Sequence, residues 1–574
     1  MSFPHPEQFK TVPRRKTEEV SRDGYKLIRD VYIPLRDGGE ICANVYLPTR
    51  DQPGKFPVLV TLGPYGKDIF FGNYGKPHTD MYANMAQAIK PLGPDACFEC
   101  PDPIVWAKEH GYAHVRCDVR GSGGSPGVLD AFGIGRTALI GQDSEAQDAF
   151  DVVEWAGAQE WSTGKVAMCG ISYFGMACYW TAMQQPPHLE AIVPYEALTD
   201  MYGDSVRQGG VWHTGFQKHW FNNIIVPQQY GRNEGLDDEQ LKKQRFDYEA
   251  LETKWKWRNE GPWPVFDRER QLSKINVPIL TAGNWMDSEV HLPGNARSFE
   301  QVFSKWKFLE MHTGNHLVAY YEPAQIQRQL KFLDYFLKGQ TDNGLESSPR
   351  IDLLIRRGAE NFYRTEESWP PQDAEFLPLY LAPKGALSFD QYTASSQDDY
   401  IKYAGLTGGE NLFQTLVLEE DFEILGYPHL DLTVSTDAQD MDIFVYFYII
   451  DPEGKKIQVR GNHDEPAVSL LRGWQRLSHR TLSKDCKPDR PELEQLEPAL
   501  VEKGKWYDIK MPMPCTSIRV PKGHRLAVSL QATDEEEIIP PMRHVGPDRS
   551  EEVFIGTNRI KLGGKVVVPV VKRG

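Results

Sequence analysis

Short apolar runs that end at turn residues recur through the first half of the chain, and this pattern constrains its fold more than any other feature. The runs lie at 58–62, 113–117, 166–169, 191–193, 279–282 and 308–311. Short apolar runs bounded by turn signals are typical of strands that are buried on both faces of a sheet. Segments with helical spacing separate these runs, so the pattern predicts a parallel sheet with right-handed crossovers.

Two changes of pattern indicate further parts, as expected for a chain of 574 residues. Residues 197–270 are rich in tryptophan and charge and contain no buried strand, which predicts a helical cap inserted into the sheet domain. From 346 to 574, alternating, β-branched and aromatic segments separated by turns predict an all-β jelly roll or sandwich. The α/β domain is then expected at 1–196 and 271–345.

The charge, hydropathy and cysteine patterns exclude several classes of function. A net charge of −16 argues against nucleic acid as a partner, because its phosphates would be repelled. No apolar run approaches the ~20 residues that span a bilayer, and the N-terminus lacks the apolar core of a signal peptide, so a cytoplasmic location is expected. Cys97 and Cys100 form a lone C-x-x-C, which is too little for a zinc site. We expect no metal or cofactor, and the sequence leaves a homo-oligomer open.

The hexapeptide GISYFG at 170–175 is the sharpest chemical signal in the chain. It lies between the apolar run 166–169 and a predicted helix at 176–183. A serine on a tight strand-to-helix turn presents its hydroxyl at the top of an α/β-hydrolase sheet. The second glycine stands one place later than in the commoner G-x-S-x-G. We expect Ser172 to be a nucleophile, and the alternative is a glycine-flanked turn without chemistry.

A serine nucleophile needs a base that a third group orients. In α/β-hydrolases the acid and the histidine follow the serine in the chain, each after a later strand. Asp287 follows the run 279–282 and His316 follows the run 308–311, which makes them the expected acid and base. Glu289 competes for the role of the acid, and His312 competes for the role of the base.

The tetrahedral intermediate of acyl transfer needs hydrogen-bond donors aimed at its oxyanion. The backbone N–H of Tyr173, next to the nucleophile, is the first expected donor. The loop Gly63-Pro64-Tyr65-Gly66 follows an early strand, where the second donor belongs. The hydroxyl of Tyr65 is therefore the second candidate, although spacing alone does not decide the role of a loop tyrosine.

Matching segments extend over nearly the whole chain. They are Arg36-Asp37-Gly38 ahead of 43–48, Pro64-Tyr65, the loop 118–125, the helix and strand at 151–165, Ser172-Tyr173, Trp285-Met286-Asp287, the segments 332–339 and 342–344, and Gly523-His524-Arg525-Leu526. Together they resemble the cocaine-esterase and X-prolyl dipeptidyl-peptidase family of serine hydrolases. The resemblance implies an α/β-hydrolase domain with a C-terminal jelly roll, and it implies that Tyr65 belongs to the oxyanion hole.

Two departures from the family pattern affect what the resemblance implies. The family histidine often follows G-P-W-S, whereas His316 follows His312-Thr313-Gly314-Asn315. Residues 70–103 resemble an insertion directly after the oxyanion strand, where they would reshape the acyl pocket. The acyl and alcohol preferences of a family member therefore do not transfer to this chain.

We expect the chain to cleave a carboxylic ester of a small molecule through an acyl-enzyme on Ser172. One alternative is an amide-cleaving aminopeptidase or acylase, with Glu289, Asp200 and Asp204 as an anionic pocket for the substrate's amine. Another is a non-catalytic carbohydrate-binding protein, since jelly rolls often bind glycans. The complete set of catalytic residue types favours an enzyme over that binding protein.

Overall fold

The computed structural model describes residues 12, 14–49, 54–71, 93–358, 360–396 and 398–573. These residues form an eleven-stranded sheet, a thirteen-stranded sheet and a short two-stranded hairpin. The insertion expected at 70–103 lies outside the described residues over 72–92. The α/β class and the separate β-rich part predicted from the sequence are thereby confirmed.

The first sheet contains the buried strands expected from the apolar runs. Its members are β1 (Glu18–Arg22), β2 (Tyr25–Pro34), β3 (Glu40–Pro48), β4 (Phe56–Gly63), β5 (Ala113–Asp118), β6 (Ser162–Ile171), β7 (Leu189–Tyr195), β10 (Ile279–Asn284), β11 (Lys307–His312), β12 (Ile351–Arg357) and β13 (Glu360–Glu366). The order is β1-β2-β3-β5-β4-β6-β7-β10-β11-β12-β13. The strands from β5 to β12 in this order pair in parallel, so their carboxyl ends meet at one edge of the sheet.

Helices cover the parallel strands. They are α1 (Ile134–Ile140), α2 (Ser144–Gly157), α3 (Ser172–Met183), α8 (Leu292–Gln301), α9 (Val318–Tyr321) and α10 (Pro323–Leu337). Every residue of α3 is buried, because this helix packs between the sheet and the segments that cover it. No helix among the described residues is long and apolar enough to span a membrane.

The segment predicted as a cap contributes no strand to either large sheet within its described residues. It contains α4 (Thr214–Trp220), α5 (Asp238–Lys243), α6 (Tyr248–Lys254), α7 (Trp263–Glu269), the π-helical turns Met201–Val206 and Phe221–Ile225, and the hairpin of β8 (Arg207–Gln208) and β9 (Val211–Trp212). A capping box at Asp237 and Gln240 begins α5, where the side chain of each residue bonds the backbone N–H of the other.

The thirteen-stranded sheet forms the C-terminal β domain. Its strands are β14 (Glu375–Ala382), β15 (Ala386–Ser388), β16 (Tyr400–Ala404), β17 (Asn411–Gln414), β18 (Phe422–Gly426), β19 (His429–Thr436), β20 (Asp442–Ile450), β21 (Leu471–Arg476), β22 (Tyr507–Pro512), β23 (Thr516–Val520), β24 (Arg525–Gln531), β25 (Thr557–Lys561) and β26 (Lys565–Val571), and a short helix, α11 (Glu551–Phe554), precedes β25. Aliphatic side chains from many of these strands pack into one core.

The boundary predicted at residue 345 lies two strands before the end of the first sheet. β12 pairs in parallel with β11, and β13 then pairs antiparallel with β12. The sequence predicts a β domain from 346 because strand-like segments separated by turns replace the alternation of strands and helices there. β13 is an outer strand that is largely exposed, so the first sheet ends in a strand unlike its buried central strands.

Candidate active site

The predicted nucleophile lies on a strained turn between β6 and α3. Ser172 has φ of 53°, a left-handed conformation that is costly for a residue with a side chain. Its backbone N–H donates to the carbonyl oxygen of Glu196 at 3.1 Å, which fixes the turn against the end of β7. Gly170 has φ of 148°, and a Cβ there would lie 2.4 Å from Cβ of Phe174. The strand–serine–helix arrangement is the one that the hexapeptide predicts.

The displaced second glycine of the motif has a packing reason. A Cβ on Gly175 would lie 2.8 Å both from Cβ of Ala197 and from the carbonyl oxygen of Tyr195. The residue before it, Phe174, packs its ring against Gly63, where a Cβ would lie 2.5 Å from the ring. The helix therefore approaches β7 through Gly175, while Phe174 supports the loop that carries Tyr65.

The hydroxyl of Ser172 bonds a histidine that the sequence analysis did not select. Its Oγ lies 3.1 Å from Nε2 of His291, and Nδ1 of His291 lies 2.5 Å from Oδ2 of Asp287. These contacts match the tautomer with its proton on Nδ1, which leaves Nε2 to accept from the serine. All three residues are buried. They form a single hydrogen-bonded row in the order that a nucleophile, a base and an acid would take.

The acid of this row is held in its charged form. Burial would raise the pKa of Asp287, but the electrostatic interaction with the His291 ring and the hydrogen bond from that ring outweigh burial and lower that pKa well below its usual value. His291 and Asp287 are four residues apart at the entry to α8, and the backbone N–H of His291 also reaches Oδ1 at 3.4 Å. The prediction of Asp287 as the carboxylate next to the base fits this geometry.

His316, predicted as the base, lies beside the row and does not bond Ser172. Its Nδ1 is 2.7 Å from Oε2 of Glu196 and 3.7 Å from Oδ2 of Asp287, and its Nε2 is 3.5 Å from Oε1 of Glu99. Burial would lower the pKa of His316, but the charge and hydrogen bond of Glu196, followed by those of Glu99, raise it well above 6.5. A ring that keeps its proton cannot accept one from serine, so this geometry favours His291 over His316 as the base.

Glu196 joins both of the histidines that the sequence offered as a base. Its Oε1 accepts from Nε2 of His312 at 2.8 Å, while its Oε2 accepts from His316. Burial would raise the pKa of Glu196, but the charge of His316 and the hydrogen bond from His312 lower it. His312 is therefore held by Glu196, away from the nucleophile.

The carboxylates proposed as an amine pocket are each paired with an arginine. The pairs are Glu289 with Arg472, Asp200 with Arg258 at 2.6 Å, and Asp204 with Arg297 at 2.9 Å. Burial raises the pKa of Glu289 to about 8 despite its arginine. These contacts give no support to an ammonium site at the three positions, and they place Glu289 outside the role of the acid.

The two candidate oxyanion donors lie in one aromatic cluster. The Tyr65 ring packs edge-on against Tyr173, with centroids 6.1 Å apart, and its hydroxyl oxygen accepts from the indole N–H of Trp220 at 3.3 Å. The Tyr173 hydroxyl donates to buried Glu145 at 2.7 Å, so its side chain anchors the elbow, as we term the strand-to-helix turn at Ser172. The backbone N–H of Tyr173 lies at the first turn of α3, where helix N–H groups have no intrahelical partner.

Sequence reasoning missed His291, Glu196 and Glu99. The spacing of four residues between Asp287 and His291, directly before a helix, is the sequence signal that could have identified the pair. Glu99 has φ of 59°, and its carbonyl oxygen accepts from the N–H of Ile171 at 3.3 Å, next to the nucleophile. Among the described residues, Oε2 of Glu99 is buried without a hydrogen-bond partner, and burial raises the pKa of this carboxyl.

Residues in and beside the row of Ser172, His291 and Asp287 form the one group with metal-ligand spacing found in the described part of the chain. Ligand atoms of Asp287, His291 and His316 lie within 4.8 Å of one another. Two imidazoles and a carboxylate suit zinc or another divalent metal. Hydrogen bonds to Ser172, Asp287 and Glu196 account for the arrangement of both rings without such an ion.

Two family models match most of the chain. Residues 37–318 match the X-Pro dipeptidyl-peptidase (S15 family) model, and residues 343–567 match the model of the X-Pro dipeptidyl-peptidase C-terminal non-catalytic domain. The cocaine esterase of Rhodococcus sp. (strain MB1 Bresler) is 23% identical, and the match covers 96% of this chain and 97% of that protein. A putative Xaa-Pro dipeptidyl-peptidase of Streptomyces avermitilis is 21% identical, with coverage of 85% and 75%.

Solved structures share the fold over the whole chain. A CocE/NonD family hydrolase from Staphylococcus aureus superposes with a TM-score of 0.83 at 24% identity, covering 100% of this chain and 99% of that one. An α-amino acid ester hydrolase superposes with a TM-score of 0.69 at 18% identity, covering 96% and 98%. These likenesses confirm the combination of an α/β-hydrolase domain with a C-terminal β domain.

Proposed function

Because the chain belongs to the cocaine esterase and X-Pro dipeptidyl-peptidase family of serine hydrolases, we propose that it cleaves a carboxylic ester of a small molecule through a covalent intermediate on Ser172. The row of Ser172, His291 and Asp287 on the strained elbow carries this proposal. The similarity to a cocaine esterase supports an ester as the substrate.

In the proposed reaction, His291 takes the proton of Ser172 as Oγ bonds the ester carbonyl carbon. Asp287, kept as a carboxylate, stabilises the imidazolium that results. The carbonyl oxygen becomes an oxyanion, to which Tyr173 N–H and the Tyr65 hydroxyl donate in this proposal. Collapse of the intermediate breaks the bond to the alcohol oxygen, which receives the proton from His291.

The second half of the reaction repeats these roles with water. His291 removes a proton from water as the water oxygen bonds the acyl carbon. The bond to Ser172 Oγ then breaks, and the serine regains its proton from the imidazolium. The products are a carboxylic acid and an alcohol, and the enzyme returns to its starting state.

A series of p-nitrophenyl esters from acetate to octanoate tests this proposal with wild type and Ser172→Ala. We expect turnover to fall by several orders of magnitude in the variant, because nothing else in the site replaces the nucleophile. Ser205→Ala, which changes a buried serine outside the row, is the matched control. Turnover that survives Ser172→Ala would refute the nucleophile.

An amide-cleaving enzyme is the second candidate, and one observation favours it. Glu99 presents a buried carboxylate oxygen without a described partner beside His316, close to the nucleophile. A buried carboxylate of this kind is stabilised when a cation pairs with it. A substrate with an ammonium group near its scissile carbonyl would supply that cation.

Aminoacyl p-nitroanilides with a free or an acetylated amine separate the two candidates. An amine-dependent enzyme turns over the free amine much faster and loses that preference in Glu99→Gln. An esterase that ignores the amine treats the two anilides alike and keeps its turnover of p-nitrophenyl esters in the variant. Equal ester and anilide rates in wild type would favour neither class.

We also propose a reducing compartment such as the cytoplasm. All eight cysteines are free, and seven of them are buried. Burial raises the pKa of the Cys97 thiol to about 11, so this sulfur stays protonated and unreactive at neutral pH.

A further inference from the structure

An arginine of the C-terminal β domain forms two hydrogen bonds with the loop that carries Asp287, which we term the acid loop. Arg472 lies on β21, and its side chain is only 2% exposed. One guanidinium nitrogen donates to the carboxylate of Glu289, and the other donates to the carbonyl oxygen of Met286 at 3.2 Å. The two contacts lie on either side of Asp287 in the chain. The planar fork of arginine suits such a two-point contact, which lysine cannot reproduce.

A second arginine supports the same loop from the first sheet. Arg356, on β12, donates to the sulfur of Met286 at 3.1 Å and to the carbonyl oxygen of Leu470 at 2.8 Å. It also bonds the carbonyl oxygen of Ser517 at 2.9 Å. The acid loop therefore lies between two arginines, and both of them connect it to the β domain.

The β domain also contacts the loop of His316. The backbone N–H of His316 donates to the carbonyl oxygen of Asn462 at 2.9 Å. The Asn315 side chain donates to Oδ2 of Asp464 at 3.1 Å. Residues of one segment of the β domain thus meet the second loop at the carboxyl edge of the parallel sheet.

From these contacts we propose that the C-terminal β domain positions the catalytic row, and that Arg472 is the residue through which it places Asp287. The inference rests on the proposed function, in which Asp287 orients His291. The family model describes the C-terminal domain as non-catalytic. Arg472 fits that description in making no contact with Ser172 or His291, and it acts through the loop alone.

The buried surroundings of Glu289 make the acid loop depend on Arg472. Glu289 makes its contact to Arg472 through Oε1, and its Oε2 is buried without a described partner. Removing Arg472 would leave a buried carboxyl group without its hydrogen-bond donor two residues from Asp287, and an unsatisfied buried polar group is destabilising. The loop would move to relieve it and would carry Asp287 away from His291.

The test compares wild type, Arg472→Met and Arg472→Lys on the p-nitrophenyl ester that wild type turns over best. We expect Arg472→Met to lower kcat by about 100-fold with KM nearly unchanged, because a displacement near 1 Å in a catalytic group has an effect of that size. Arg472→Lys should recover part of kcat, since the ammonium can bond Glu289 or the Met286 carbonyl but not both.

The matched control is Arg490→Met, which breaks another link between the two domains. Arg490 pairs with Glu300 on α8 at 2.5 Å and stacks on Tyr427, away from the acid loop. We expect it to lower the midpoint of thermal unfolding without changing kcat. The double variant Glu289→Met/Arg472→Met removes the unsatisfied buried carboxyl group, so it should regain stability and keep the low kcat.

Amide hydrogen exchange of residues 284–292 keeps the inference separate from the proposed reaction. Faster exchange there in Arg472→Met than in Arg490→Met supports the role of Arg472 in positioning the acid loop, whatever Ser172→Ala does to turnover. Equal exchange, or a kcat that returns with stability in the double variant, would overturn the inference and leave the proposed reaction intact. Undiminished turnover in Ser172→Ala would overturn the proposed reaction instead.

Discussion

The imidazole rings of His291 and His316 lie nearly parallel, with centroids 5.0 Å apart. The hydrogen-bond partners of the two rings differ in charge. His291 bonds one carboxylate through Nδ1 and meets the Ser172 hydroxyl through Nε2. His316 faces Glu196 with one ring nitrogen and Glu99 with the other. A base must start with a free lone pair, so the ring between two carboxylates is the poorer base, although it follows a strand as the family pattern requires.

Substituting each histidine in turn gives the largest expected effect. Since nothing else in the row can accept the serine proton, we expect His291→Gln to lower kcat/KM by roughly 10⁶-fold, as removal of a catalytic base does elsewhere. His316→Gln removes a charge next to the row and should lower kcat/KM by less than about 100-fold. Steady-state kinetics on one p-nitrophenyl ester measures both, and the reverse order would restore His316 as the base.

Substituting the carboxylate partner of each histidine gives the next effect. Asp287→Asn keeps the shape of the side chain but loses the charge that selects the tautomer of His291, so kcat should fall by about 10⁴-fold. Glu196→Gln leaves His291 and Asp287 in place, and its effect on kcat should be far smaller. Equal losses in the two variants would mean that both histidines serve the reaction.

Stability against pH gives the smallest effect and tests the charge of His316. Because the pKa of His316 is raised in the folded state, its contribution is fully present below the unfolded value of about 6.5 and is lost as pH rises through the folded value. His316→Gln should therefore lower the free energy of unfolding by about 3 kcal/mol at pH 6 and by less at alkaline pH.

Urea unfolding from pH 6 to pH 9 measures this difference. His188→Gln is the control, since His188 pairs with Glu154 at a partly exposed site where an ion pair contributes little. A difference between wild type and His316→Gln that does not change with pH would contradict a charged His316.

The geometry of the elbow and the position of Asp287 could be predicted from the sequence because local signals specify them. The glycines of the hexapeptide and the flanking strand and helix predict the turn at Ser172, and the strand 279–284 predicts the position of Asp287. The partner of Ser172 was missed because two histidines near Asp287 differ only in which carboxylates approach them. Glu99 and Glu196 come from distant parts of the chain, and no local pattern brings them together.

The sequence did not predict that the first two strands after residue 345 join the first sheet, for a related reason. β12 has the alternating pattern typical of an antiparallel sheet, yet it pairs in parallel with β11. Alternation reports that one face of a strand is less buried than the other, and it does not report which sheet the strand joins. The last strands of the first sheet therefore resemble the β domain that follows them.

The left-handed backbone at Ser172 has a consequence for evolution and engineering. The folded chain gives up about 1 kcal/mol to keep a residue with a side chain at φ of 53°. Glycine adopts that conformation without strain, so a substitution that would abolish the proposed chemistry is one that the fold tolerates well. Under the proposed function, selection for thermostability alone would drift toward an inert scaffold, and only selection for turnover keeps the serine in place.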